Sequence, residues 1–213
     1  MRWIIINILI LNFAVPIFAA GYTEKPINAR VAGLSCSGTT VDNNIIAVLA
    51  NPAGLAFSDG VSVAADYSQK FGIAPLGNNT LTFALCQPAG VILPVLNNWG
   101  LSGSIFGYES YRELSVSFAQ GFKLVPNFAV GYRLRYLGIR IESETQTGSI
   151  LLDPGVSVRI LPWLNLAVYI NNSLSAIIGN SGEKVPVTLN TGGSWRVNEF
   201  YQVMIECETQ QQR

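Results

Sequence analysis

Nine stretches of the chain place apolar residues on every second position, and this period of two limits what the chain can fold into more than any other feature. Successive side chains of an extended strand point to opposite faces, so the alternation marks strands whose two faces meet different surroundings. "VSVAADY" sets Val61, Val63, Ala65 and Tyr67 against Ser62, Asp66 and Ser68. Leu81, Phe83 and Leu85 oppose Thr80 and Thr82, and Leu114, Val116 and Phe118 oppose Glu113, Ser115 and Ser117. The pattern predicts strands near 61–70, 79–87, 98–107, 111–122, 127–142, 148–161, 163–171, 185–197 and 200–209. Several reach about ten residues, enough to cross a bilayer at a tilt. Spacing alone suits a soluble sandwich equally well, because both architectures alternate.

Composition narrows the choice. Apolar residues make up 49% of the chain and charged residues 12%, the latter about half the usual share of about 25%. Residues 1–20, "MRWIIINILILNFAVPIFAA", combine Arg2, an apolar stretch and the small pair Ala19-Ala20, the plan of a cleaved export signal. Asn7, Asn12 and Pro16 make the same stretch a poor permanent membrane helix. The formal net charge is zero, which gives nucleic acid nothing to recognise. Cys36, Cys86 and Cys207 are widely separated and form neither a disulfide framework nor a metal spacing. No histidine is present, which removes His-based triads and the usual zinc sites. Phosphate-cradling glycine motifs are absent, and the acidic residues are scattered. The expectation is a non-enzymatic protein without a cofactor.

The connections carry an asymmetry. "LVPNF", "ILPWL" and "RVNEF" read as tight turns, whereas "ESETQTGS" and "NNSLSAIIGNSGEKVP" are longer and polar. Short turns at one end and longer loops at the other follow the outer-membrane barrel plan. Trp99, Phe122, Phe128, Trp163, Trp195, Phe200 and Tyr201 should gather at the short-turn end as an interfacial girdle. The alternative is a set of ordinary core aromatics in a sandwich.

Ahead of the first strand lies "NARVAGLS", followed by "NNIIAVLANPAGLAF" at residues 43–57. The apolar run reads as a short helix. Pro52 disfavours helix at Asn51, so the helix should stop or kink there, and Gly54 is expected to turn the chain back with a positive φ. These residues resemble the N-terminal segment of the FadL and PorV/PorQ-like outer-membrane barrels. Arg30, Ala32 and Gly33 match its first part, and Ala47 with Asn51, Pro52, Ala53, Gly54, Leu55 and Ala56 match its second. Gly33 stands where methionine is usual, Asn43 and Asn44 stand where acidic residues are common, and "LSCSG" replaces a Gly-Gly-Ala-like run. The motif covers about thirty residues, and the remaining strands agree in pattern only.

The resemblance implies an all-β, antiparallel transmembrane β-barrel in the bacterial outer membrane. Residues 1–20 would be the signal peptide, 21–60 a plug or hatch segment and 61–213 the barrel strands. A plain amphipathic helix capping an open sheet is the alternative for the plug. Outer-membrane lipid is the implied surroundings. The implied roles are passive transport of hydrophobic small molecules such as fatty acids, or an accessory role toward secreted proteins in type IX secretion. A secreted β-sandwich that binds a partner or sugar is the rival class.

Three further expectations concern particular residues. Arg133 and Arg135 share one face, with Arg159 facing the same way on the next strand. They could contact a carboxylate or other anionic headgroup in the lumen, or be structural residues balanced by Glu113 or Glu142. The apolar phase changes from Val130–Tyr136 to Leu137, Ile139 and Ile141. That change predicts a β-bulge at Tyr136, Leu137 and Gly138, which in a FadL-like barrel opens the wall sideways. Finally, nine strands put the two chain ends on opposite sides, whereas bacterial single-chain barrels have an even number. The tail "ECETQQQR" also lacks a final aromatic, so further strands are expected to complete the barrel.

Overall fold

The computed structural model describes residues 28–42, 44–69, 72–73, 77–86, 98–142, 147–173, 177–178, 183–184 and 186–211. The expected signal peptide lies outside these residues. All nine expected strands form: β1 Gly60–Gln69, β2 Gly77–Cys86, β3 Trp99–Tyr108, β4 Tyr111–Val125, β5 Phe128–Ile141, β6 Thr147–Leu161, β7 Leu164–Asn171, β10 Val187–Arg196 and β11 Gln202–Gln211. A small separate hairpin, β8 Ile177–Ile178 with β9 Glu183–Lys184, lies inside the stretch expected to be loop. The nine long strands make one antiparallel sheet in the order β1-β2-β3-β4-β5-β6-β7-β10-β11. Among the described residues it is open: β1 pairs only with β2, and β11 only with β10.

The two faces differ as the alternation requires. One face keeps its apolar side chains exposed, among them Val63 at 66%, Leu81 at 60%, Ile150 at 67% and Ile205 at 73%. The opposite face is covered by residues 28–58, which contain a short helix α1 (Ala29–Gly33) and two 3₁₀ segments, Ile45–Val48 and Pro52–Phe57. Ala47, Val48 and Leu55 of this segment form a core with Ala84, Cys86 and Ala119 of the sheet. Beyond the segment, Leu137, Ile139 and Leu151 make a second small core with Tyr111 packed on it.

That second core explains the change of phase in β5. The β4–β5 and β5–β6 registers run unbroken through Tyr136, Leu137 and Gly138, so the expected bulge is not there. What changes is the covered face, which passes from the polar Arg133 and Arg135 to the apolar Leu137 and Ile139, all of them buried. The register shifts that do occur fall at Lys123/Val125 and Arg159/Leu161, beside the two proline turns. The regular β6–β7 ladder begins only at Gly155. Next to it is Pro154, which has no N–H to donate. There the chain leaves β7 through Asn172, at φ 59°, whose N–H reaches the Asp153 carboxylate at 2.7 Å.

The turn asymmetry is present with two exceptions. Turns at 126–127 and 162–163 are tight, and in the β10–β11 turn the Asn198 side chain accepts from the N–H groups of Phe200 and Tyr201. At the opposite end the β3–β4 connection is also tight, with Tyr108 paired to Tyr111. Conversely, the β2–β3 connection at the short-turn end is long. The expected aromatics do gather at that end: Trp163 lies 6.4 Å from Trp195, and Trp99 stacks on Phe118 at 6.4 Å.

Candidate functional site

The site is the seat that the covered face makes for residues 28–58, and glycine creates it. Gly100, Gly121, Gly131, Gly155 and Gly192 lie on β3, β4, β5, β6 and β10. Gly121 pairs with Gly131, and Gly131 with Gly155, so the middle of the row is contiguous. A Cβ on Gly131 would lie 2.5 Å from the Ala53 nitrogen, and one on Gly121 would lie 2.7 Å from the Pro52 oxygen. A Cβ on Gly155 would overlap the Asn51 side chain, and one on Gly100 would overlap Val48. At Gly121 and Gly131 the backbone of the segment therefore rests directly on the backbone of the sheet, an approach only glycine permits, while Gly100 and Gly155 make room for the Val48 and Asn51 side chains and Gly192 meets the Thr40 methyl at 3.1 Å.

Asn51 is the pivot of the segment and is fully buried. Its side-chain oxygen accepts from Ala53 N–H at 3.1 Å, capping the second 3₁₀ segment, where Pro52 needs no donor. Its amide donates to the carbonyls of Thr39 (3.0 Å) and Val156 (3.2 Å). The helix thus restarts at Pro52 instead of the chain turning back. Gly54 serves a different purpose from the one expected: its φ is not positive, but a Cβ there would meet the Val41 oxygen at 2.6 Å and Ala47 at 3.0 Å. Pro52, Ala53 and Ala47 are buried with it, whereas Arg30 and Gly33 are exposed on α1.

Asn51→Ala is expected to destabilise by about 2–4 kcal/mol, since it removes a cap and takes the amide donor from the buried Thr39 carbonyl and the partly buried Val156 carbonyl. Chemical denaturation in detergent checks this; an unchanged midpoint would mean that the pivot is dispensable.

Around the pivot the polar residues act as tethers. Arg133 and Arg135 are both buried beside Asp153, which is 0% exposed. Arg133 Nε donates to Asp153 Oδ2 at 2.9 Å, Nη1 to the Leu49 carbonyl at 2.5 Å, and Nη2 to the Tyr169 hydroxyl at 2.5 Å. Arg135 sits 3.4 Å from the same carboxylate oxygen and donates to Asn171 (3.0 Å) and Asn172 (2.6 Å). The partner is therefore Asp153, not Glu113 or Glu142. Glu113 instead accepts from the Tyr111 hydroxyl, and Glu142 bonds Ser110. Arg159 pairs with Asp42 of the segment at 2.7 Å and lies over the Phe57 ring at 3.9 Å. Asn165 donates to the Thr40 carbonyl at 3.1 Å, and Glu206 accepts from Thr39 N–H at 2.9 Å.

Two of the three arginines thus reach the segment directly, and Arg135 reaches it through the carboxylate it shares with Arg133. Asp153, Tyr169, Asn171 and Glu206 escaped the sequence reading. Asp153 had a signal, since it has the inward parity of Arg159 and pairs in register with Arg133. The arrangement offers fixed donors and acceptors that hold a polypeptide segment against a sheet. Its guanidinium groups are directed to the protein's own carbonyl, carboxylate, amide and hydroxyl oxygens. No protein-family model, curated protein or solved structure matches the chain.

Proposed function

We propose that this chain is a membrane-embedded β-barrel protein of the outer-membrane kind. In this reading residues 28–58 plug the interior, and the protein conducts hydrophobic small molecules without covalent chemistry. The observation that supports it most is the exposed apolar face, which runs from β1 to β11 as one layer. A water-soluble monomer rarely leaves so large a contiguous apolar surface bare, and a sandwich would bury that face against a second sheet. In lipid the same face needs no cover, and Trp163, Trp195, Phe200 and Tyr201 at one end suit the headgroup level. The polar side chains point instead toward the plug, as a barrel interior requires.

Val116→Arg provides the test, because Val116 is at mid-strand and 48% exposed. If lipid covers this face, the arginine costs about 2–4 kcal/mol. If water covers it, the change stays within about 0.5 kcal/mol, and the membrane reading fails. Vesicle uptake of a fluorescent fatty acid then separates conduction from a secretion-accessory role, since only conduction predicts saturable uptake.

A further inference from the structure

On the covered face, β2, β3 and β4 carry a block of hydroxyl side chains. Thr82, Ser102 and Ser117 stand opposite one another in one row across the three strands, and Thr80, Ser104 and Ser115 form the next. Both rows continue on β5 as long side chains, Arg135 and Leu137, whereas β2–β4 present short ones. Opposed side chains lie about 5 Å apart and successive rows about 7 Å apart, so the block spans about 10 by 7 Å. Little of its bonding capacity is used among the described residues. Ser102 and Ser117 share one bond of 2.7 Å, and Asn78 Nδ2 donates to Thr80 Oγ1 at 3.4 Å. Thr82 is 2% exposed, and its Oγ1 has no hydrogen-bond partner among the described residues. A buried hydroxyl in that state is costly unless water or a ligand satisfies it. Further along the same face Phe106 meets Tyr111 edge-on, with ring centroids 6.5 Å apart.

We propose that these six hydroxyls form a binding site for a neutral sugar, seated over β2–β4 with its ring against the Phe106–Tyr111 pair. The chemistry of the lining selects this class. A serine or threonine hydroxyl both donates and accepts, as each hydroxyl of a sugar does. An ion would need a free charge, and the charged neighbours are engaged. Arg135 is held by Asp153, Asn171 and Asn172, Glu113 accepts from the Tyr111 hydroxyl, and Asp66 accepts from Ala29 N–H. One water would satisfy Thr82 alone. Two rows of three hydroxyls beside an aromatic edge suit a ring that carries several hydroxyls around an apolar C–H face. Thr80, Ser102 and Ser104 are partly exposed and give entry, while Thr82, Ser115 and Ser117 are buried and form the deep side. The site lies on the covered face, so it stands whether or not lipid meets the other one.

The experiment is equilibrium dialysis of the full chain, in a zwitterionic detergent without a sugar headgroup, against tritiated glucose and tritiated maltose. Saturable binding of at least one of them is expected. Cyclohexanol, a ring of similar size with a single hydroxyl, should compete at least tenfold more weakly, and so should the anion gluconate. Thr82→Val keeps the shape of the side chain and removes the unpartnered hydroxyl. It should weaken sugar binding at least fivefold while leaving the sugar-free denaturation midpoint unchanged or higher. Ser102→Ala and Ser117→Ala should each weaken binding several-fold. Absence of saturable binding of both sugars overturns the proposal, as does equal competition by cyclohexanol. Parent-like affinity in Thr82→Val also overturns it. So does a lower sugar-free midpoint in that variant, because the hydroxyl would then already be spent within the fold.

Discussion

Gly131→Val is expected to dislodge residues 28–58 from the sheet. The new Cβ would lie 2.5 Å from the Ala53 nitrogen and the Pro52 carbonyl carbon and 2.8 Å from the Gln120 oxygen. All three are backbone atoms held in ladders or caps, so no side chain can swing away to make room. Overpacking of a closed interior costs about 1–3 kcal/mol when neighbours can adjust. Here they cannot, and a loss of about 3 kcal/mol or more is expected. The denaturation midpoint should fall, and protease should cut within residues 28–58 while the strands stay protected. Gly103→Val is the control: a Cβ there meets nothing within 4 Å, and valine suits a strand. Its midpoint should stay within about 0.5 kcal/mol of the parent. If the two variants behave alike, direct backbone contact is not what seats the segment.

Asp153→Asn should be the most damaging single change to the polar tethers. It keeps the shape of the side chain but leaves the guanidiniums of Arg133 and Arg135, buried to 2% and 3% exposure, without their shared countercharge. Removing one partner of a buried ion pair costs about 3–5 kcal/mol, because the charge left behind remains desolvated. The same physics predicts a recovery. The triple change Arg133→Met, Arg135→Met, Asp153→Leu should regain most of that loss, since no unpaired charge remains. It should still release the Leu49 carbonyl and raise proteolysis of the segment. Denaturation of the three proteins side by side checks both statements. A fall below about 1 kcal/mol for Asp153→Asn would show that the cluster is not held by charge pairing.

Most of the sheet was legible because strand periodicity is a local property. Val61 to Tyr67 or Leu114 to Phe118 declare their two faces without reference to any other strand, and all nine expected strands are present. The interior was less legible. Leu137 and Ile139 looked like a shift of backbone phase, but they report a change in what covers the face. The distinction depends on Leu151 and Tyr111, which come from other strands. The arginines were recognised as a group, yet their countercharge was sought on Glu113 and Glu142. Register decides that choice, and a one-residue slip would have sent Asp153 to the other face.

The amino-acid order by itself determined the alternation of the strands, the near-absence of charge on one face and the break at Asn51-Pro52. Each of these follows from a residue's own backbone preference and its immediate neighbours. The tertiary structure alone decided that five glycines from five strands line one trough and that Asn51 fills the space over Gly155. Those outcomes depend on which strands become neighbours. Chain order makes consecutive strands neighbours, but the register between them and the seating of residues 28–58 across several strands at once are not encoded by any local preference.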